Sequence, residues 1–284
     1  MLFNIFKKEK SEWEFDRKVL SKKRKMGISG IMRLRNEEDY LGLVIESHLP
    51  FLDELIIIYN RCTDRTPEIS WEYQKKFPEK IKVFKYEPYV YPQGSKEHKR
   101  LSYKSIHSMG NYSNYALSKT NFAYAIRVDG DHVAIPALFD KAVKRVLKEQ
   151  SKKYYYACRG INLWDCEGNV YVNKNLPYMG GSDHGFFPVS KDIYFKHHEI
   201  YEILQCKLRM IDLGPLFFHL KGMKRDRGIS NYDLSENPDS FYHQLVDTCY
   251  TNPELITFQD FFQNEKLNPE IPSPLDLGIM PVRD

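Results

Sequence analysis

Apolar and polar positions change rhythm several times along the first half of the chain. Gly27-Ile-Ser-Gly-Ile-Met-Arg-Leu34 reads as a short strand that ends at Arg35-Asn36-Glu37-Glu38. Leu41, Leu43, Val44, Ile45 and Leu49 then recur at helical spacing until Pro50 stops them. Glu54-Leu-Ile-Ile-Ile-Tyr59 is an apolar run of the buried-strand kind, followed by the polar turn 60–66 and a helix to about Phe77. Residues 80–86 form a third strand, a helix near 104–118 precedes a strand Phe122–Val128, and 134–150 is a Lys-rich amphipathic helix. Alternation at this spacing predicts parallel βαβ units: an α/β fold whose mostly parallel sheet is flanked by helices.

Beyond residue 150 the chain becomes aromatic and turn-rich, and Glu167-Gly168-Asn169 marks a hairpin. Five of the fifteen prolines follow Asn252, which predicts an extended C-terminal tail. The expected organisation is a basic arm over 1–26, one domain over 27–250 and a Pro-rich tail over 251–284. Within that domain, 27–136 forms one half and 137–250 the other.

Composition narrows the function. At 284 residues and 42% hydrophobic, the chain can build one substantial core. The five cysteines are scattered, without a C-x-x-C pair, and read as reduced thiols. The start lacks the apolar core and cleavage site of a secretory signal, and no window approaches the about 18 apolar residues of a membrane span. A cytoplasmic location is expected, with the inner membrane face as its alternative setting. Residues 1–27 hold nine Lys and Arg against four Asp and Glu, so the formal charge of +4 comes from this arm. The body is therefore not a nucleic-acid binder, whereas the arm suits an anionic membrane surface.

The candidate chemistry centres on Asp129-Gly130-Asp131, which follows a buried-type strand. In parallel sheets ligands gather at the carboxyl ends of strands, where Asn36 and Asn60 also fall. Two hard oxygen ligands on a short turn suit Mg²⁺ or Mn²⁺ shared with substrate phosphates. Gly130 leaves room there for a ligand to approach the backbone.

The segment Ile28 to Thr66, with Asn36-Glu37-Glu38 and Cys62-Thr63-Asp64-Arg65-Thr66, resembles the opening of the family-two, GT-A fold glycosyltransferases. That family carries an Asn fifteen positions ahead of its D-x-D acid, as Asn114 stands before Asp129. The resemblance covers about residues 27–136. It implies a metal-dependent glycosyltransferase that moves a sugar from a nucleoside-diphosphate donor, a UDP-sugar by family habit, to an acceptor hydroxyl on a glycan or glycolipid. A bacterial surface-glycan pathway fits that expectation. The resemblance assigns Asn36, Asp64, Asn114 and Asp129 to donor binding, and Asp129, Asp131 and the late His219 to the Mn²⁺ or Mg²⁺ ion; Asn60, at a strand end, and Arg33 and Lys221, suited to phosphate, join the donor-binding candidates. Asp131 is the favoured ligand, with Asp129 reaching the ribose, or the metal through water.

An inverting outcome is preferred and needs a base for the acceptor proton. Asp183, in Gly181-Ser182-Asp183-His184-Gly185, is the candidate, with His184 as a weaker one. The chain departs from the family at Arg33, where a proline is usual, and at Tyr59, where an acid is usual.

Rival readings remain at this level. Asp129-Gly-Asp-His-Val133 also fits the nucleophile step of haloacid-dehalogenase phosphatases, but the downstream acidic pair is missing. A sugar nucleotidyltransferase would show a Gly-rich loop after the first strand. A non-catalytic carbohydrate-binding module predicts sugar binding without metal-dependent nucleotide binding.

Overall fold

The computed structural model describes residues 11–102, 104–229, 232–238, 240, 242–243 and 253–282, the side chains of Ser182 and Asp183 excepted. Four parallel strands form its first half: β1 (Lys25–Leu34), β2 (Glu54–Tyr59), β3 (Ile81–Lys85) and β4 (Phe122–Arg127), in the spatial order β3-β2-β1-β4. Helices α1 (Leu41–His48), α2 (Thr66–Lys76) and α4 (Met109–Lys119) connect them, with the single turn α3 (Lys96–Lys99) in the last crossover. Pro67 enters α2 in its first turn, and Ser108 caps α4 by accepting from the Asn111 amide. The central strands β1 and β2 are almost continuously buried apolar runs, as a sheet covered on both faces requires, whereas the edge strand β3 alternates and exposes Lys82 and Lys85.

The second half is mostly antiparallel. After the short β5 (His132–Ala134) and α5 (Pro136–Glu149) come β6 (Tyr154–Cys166), β7 (Asn169–Asn173) and β8 (Tyr178–Pro188). Strand β8 joins β4 to β6, and β6 turns through Glu167 and Gly168, both at positive φ, into β7. The hairpin β9 (Tyr194–His197) and β10 (Glu202–Gln205) stands apart as a two-stranded sheet. Strand β11 (Arg209–Gly222) runs parallel to β6 and antiparallel to β5. One apolar cluster packs α1 and α5 against one side of the sheet, and a second packs α4 against the other.

The tail differs from its expectation. Within 253–282, β12 (Leu255–Thr257) pairs with β7 and α6 (Phe258–Asn264) follows it. Phe261 is buried there against Tyr178, and Phe258 packs edge-on to Phe218. Apolar burial thus orders the first part of the tail, and Pro269, Pro272 and Pro274 come only after the helix. The described part of the arm is also anchored: Leu20 is buried, and Trp13 packs on Tyr86 and Tyr115. No helix of the described residues is long and apolar enough to cross a membrane.

Candidate active site

The parallel strands bring their carboxyl ends to one side, and the Asp129-Gly130-Asp131 turn follows β4 there. Strand β5, directly after the turn, pairs with β11 so that His132 faces His219, and the Leu220 amide donates to the Asp131 carbonyl (2.8 Å). This crossing places His219 Nε2 3.6 Å from Asp131 Oδ2. Gly130 is required for a different reason from the one expected. A Cβ there would lie 2.6 Å from Glu37 Cγ, so the Glu37 side chain, and not a ligand, fills the space over that backbone.

The two acids have different partners. Both oxygens of Asp129 accept from Arg127, Oδ1 from Nε (3.0 Å) and Oδ2 from Nη2 (2.8 Å), and His184 Nε2 lies 3.1 Å from Oδ2. Burial alone would raise the Asp129 pKa, but Arg127 and His184 outweigh it and hold the carboxyl well below the usual range. Asp131 is also buried, which alone would raise its pKa, yet the neighbouring His219 and the Lys224 ammonium outweigh that and hold it below the usual range. Asp131 is thus a ready anionic ligand, while the first carboxylate is already clamped by a guanidinium.

The residues around Asp131 fit a divalent cation. His219 Nδ1 is 2.5 Å from Asn162 Oδ1, which assigns the proton to Nδ1 and leaves Nε2 as a lone-pair donor toward Asp131. His132 is sandwiched on Phe217, with ring centroids 4.1 Å apart. Its Nε2 is buried without a hydrogen-bond partner, 3.7 Å from Asp131 Oδ1 and 4.0 Å from Asp129 Oδ2. Burial pushes the His132 pKa well down, so the ring is neutral. Asp131, His132 and His219 form one group with metal-ligand spacing, and Asp129, His132 and His184 form another. In the second, Arg127 already occupies the carboxylate.

A cavity of about 640 Å³ opens in front of these groups, within the range of small-molecule sites. Arg33, Arg35, Asn60, Arg127, Asp129, Asp131, His219, Lys221 and Lys224 line it together with several tyrosines. Lys224 bonds Glu37 (3.0 Å), and Glu37 and Asp131 together raise its pKa against the effect of burial. Lys221 donates to the Tyr232 hydroxyl (2.6 Å).

Several sequence candidates are engaged elsewhere. Asn36 Oδ1 accepts from the Thr63 amide, and Asp64 accepts from the Glu38 and Thr66 amides. Asn60 borders the cavity but spends its amide on the Tyr86 and Pro88 carbonyls. Asn114 pairs both ways with the Phe195 backbone, which anchors β9. Asp183 lies on β8, but its side chain is outside the described residues. The strand bulges there, since the register against β6 jumps from Gly185–Ala157 to Gly180–Arg159.

Arg127, His132 and Glu202 escaped the sequence reading. Arg127 sits two positions before Asp129 and so on the same strand face, a signal that could have been used. Glu202 is 169 residues from Arg33, yet it pairs with Arg33 and Arg127 and accepts from Gln93 (2.5 Å). Only the tertiary fold reveals it.

The model of the family described as "Beta-1,4-N-acetylgalactosaminyltransferase (CgtA)" matches residues 4–178. The chain belongs to this CgtA family. Its strand order and the acids after β4 agree with the GT-A architecture expected from the sequence. No curated protein matches the sequence. Among solved structures, S. aureus TarS is similar at 14% identity and a TM-score of 0.44, over 70% of this chain and 61% of that one. Glucosyl-3-phosphoglycerate synthase from Mycobacterium tuberculosis, in complex with Mn²⁺, UDP and phosphoglyceric acid, is similar at 20% identity and a TM-score of 0.32, over 47% and 43%. A mycobacterial protein is similar at 16% identity and a TM-score of 0.42, over 78% of each chain. The CgtA-family chain thus spans about three fifths of the solved TarS 1–349 chain.

Proposed function

We propose that this CgtA-family protein transfers N-acetylgalactosamine from its uridine diphosphate donor to a hydroxyl of a glycan or glycolipid acceptor. The sugar comes from the family's description, and bacterial surface-glycan synthesis is the setting we infer. The single observation that carries the reading is the convergence of Asp131 and His219, its tautomer fixed by Asn162, on the wall of a cavity rich in Arg and Lys.

Asp131 and His219 would hold the cation, with His132 beside them; the mixed oxygen and nitrogen donors favour Mn²⁺ over Mg²⁺. When bound, that ion stabilises the negative charge of the departing diphosphate. Lys221 and Lys224 add positive charge on the same wall. Arg127 holds both oxygens of Asp129, so that acid would serve the donor's ribose, or the cation through water, and leave direct ligation to Asp131 and His219. In an inverting displacement the acceptor oxygen bonds the anomeric carbon as the bond to the diphosphate breaks. The acceptor proton passes to a base, for which Asp183 is our candidate.

The phosphatase alternative needs Asp129 as a nucleophile, and its two oxygens both accept from Arg127. The exposed Arg17, Lys18, Lys22, Lys23 and Lys25 support peripheral contact with anionic lipid, which sedimentation with phosphatidylglycerol vesicles would test.

Calorimetric titration of uridine, guanosine, cytidine and thymidine diphosphates, with Mn²⁺ and with EDTA, tests the main reading. We expect uridine diphosphate to bind with Mn²⁺ and not with EDTA, and the donor to support transfer. Folded wild-type protein that binds none of these nucleotides in a metal-dependent way would overturn the proposal.

A further inference from the structure

The turn after β11 is stitched to the loop after β1 by three consecutive residues. The Tyr40 hydroxyl donates to the Met223 carbonyl (3.2 Å), the Arg225 amide donates to Asp39 (3.1 Å), and the Arg225 guanidinium pairs with Glu38 and Asp39. Between them Lys224 turns inward. It is 5% exposed, borders the large cavity, and sends Nζ to Glu37 Oε2 (3.0 Å) and to the Asn36 carbonyl (3.1 Å). The flanking residues therefore hold the turn, while Glu37 holds the ammonium.

Glu37 is itself fixed at both ends. Its amide donates to Thr66 Oγ1 (2.7 Å), and its side chain lies across the Gly130 backbone, where a Cβ would come within 2.6 Å of Cγ. Burial pushes the Glu37 carboxyl up to about 8, with Lys224 opposing the rise and Asp131 adding to it. One of its oxygens accepts from Nζ whether the carboxyl is charged or neutral, so the contact sets position first. An ammonium has three N–H donors, and among the described residues two of those of Lys224 find acceptors. The third is left for what enters the cavity. A buried cation with a spare donor, on the wall that carries Asp131 and His219, is matched by an anionic oxygen.

We propose that Glu37 is a positioning residue for the donor, directing the Lys224 ammonium at the terminal phosphate of the nucleoside diphosphate, beside the bond that breaks. This rests on the transferase reading above. A lysine is a point charge on a flexible stem, and it stabilises developing phosphate charge best when the protein fixes it beforehand. Glu37 supplies that constraint, and Gly130, between the two acids, leaves the space for it.

The test compares uridine diphosphate with uridine monophosphate, which lacks only the terminal phosphate, by calorimetry with Mn²⁺. Glu37→Asp keeps the charge but withdraws the oxygen by one methylene. Glu37→Gln keeps the reach and an accepting oxygen but not the charge. We expect Glu37→Asp to lower the preference for the diphosphate about tenfold, the worth of a hydrogen bond to a charged group, and Glu37→Gln to keep it within about threefold of wild type. Lys224→Met should lose at least as much. Adding Glu37→Asp to Lys224→Met should change the preference by less than about twofold, since both act through one ammonium.

An unchanged preference in Glu37→Asp, or an equal loss of both nucleotides, would overturn the proposal. So would an undiminished effect of Glu37→Asp in the Lys224→Met protein. Loss in Glu37→Gln with retention in Glu37→Asp would overturn it too, because Glu37 would then serve charge balance alone. If urea unfolding shows that Glu37→Asp does not fold, Lys224→Met is compared with Glu37→Leu plus Lys224→Met, where apolar groups replace both partners. Equal preferences support the proposal, and a further loss in the double variant overturns it. Wild type that binds neither nucleotide with Mn²⁺ would sink the transferase reading and this proposal with it. Wild type that prefers the diphosphate, with Glu37→Asp keeping that preference, would sink the positioning role alone.

Discussion

The parallel half and the seam between β5 and β11 use polar residues in opposite ways. At the ends of β1 and β2, Asn36, Asn60 and Asp64 are spent on backbone groups of neighbouring loops. At the seam, Asp131 and His219 turn toward the large cavity, and Asn162 satisfies only the far side of the imidazole. Short polar side chains near strand ends readily bond local backbone, because a buried amide or carbonyl without a partner is costly. A position at the carboxyl end of a strand is thus weak evidence for binding unless the side chain is left over after the loops are satisfied. In this protein the leftover groups come from two distant segments that a parallel half alone would not bring together.

The strongest way to break this contrast is Asp131→Ala. We expect metal-dependent binding of uridine diphosphate to vanish in calorimetry and transfer to fall by about 10³-fold, the scale of losing one preorganised electrostatic contact to a developing charge. Retained Mn²⁺-dependent binding would place the ion elsewhere. Glu202→Ala comes next and acts mainly on stability. Its carboxylate is buried among Arg33, Arg127 and Gln93, and removing one partner of a buried charge set costs about 3 kcal/mol or more. Urea unfolding should show that loss. Glu202→Gln, which keeps the shape but not the charge, should lose most of the same amount.

The parallel half carries its own pH sensitivity, away from Asp131 and His219. His48 is buried between α1 and α5, edge-on to Phe139, and burial lowers its pKa from 6.5 to about 4. A base depressed in the folded state contributes stability that is present above pH 6.5 and is lost as pH falls through 4. The loss approaches about 3 kcal/mol by linkage, since the unfolded chain takes the proton first. The urea midpoint of wild type should fall relative to that of His48→Leu as pH goes from 7 to 4. Parallel curves would assign the acid sensitivity to other groups.

At the seam, Asn162→Ala should cost less than losing a ligand. His219 would keep its place on β11 but lose the partner that fixes its tautomer, and outer partners of this kind are worth about 10–100-fold in metal affinity. Mn²⁺ titration with uridine diphosphate present checks this. An unchanged affinity would mean that packing alone orients the ring.

How far the sequence revealed this arrangement follows from the range of each signal. The parallel strands and their helices were legible because their apolar periodicity is local and Pro50 marks where the first helix stops. The same locality made the Asp129 to Asp131 turn visible as a site. His219 was found only through resemblance, and Glu202 was not found, because its meaning depends on a hairpin that reaches Arg33 from 169 residues away. Gly130 was read in the right place for the wrong reason, since the side chain that requires it, Glu37, belongs to another segment. For the polar residues of the parallel half, the sequence does not show which backbone groups Asn36, Asn60 and Asp64 already satisfy.

Asp64→Ala isolates that last point and carries the smallest expected effect. One carboxylate oxygen accepts from the Thr66 amide at the start of α2, and the other from the Glu38 amide in the loop after β1. The side chain therefore stitches two loops and is absent from the lining of the large cavity. Replacing it removes an interaction of the helix-capping kind, which costs about 1 kcal/mol. The Kd for uridine diphosphate with Mn²⁺ should stay within twofold of wild type while the urea midpoint falls slightly. A tenfold loss of nucleotide affinity without loss of stability would move Asp64 into the donor site, and the contrast between the strand ends and the seam would no longer hold at that position.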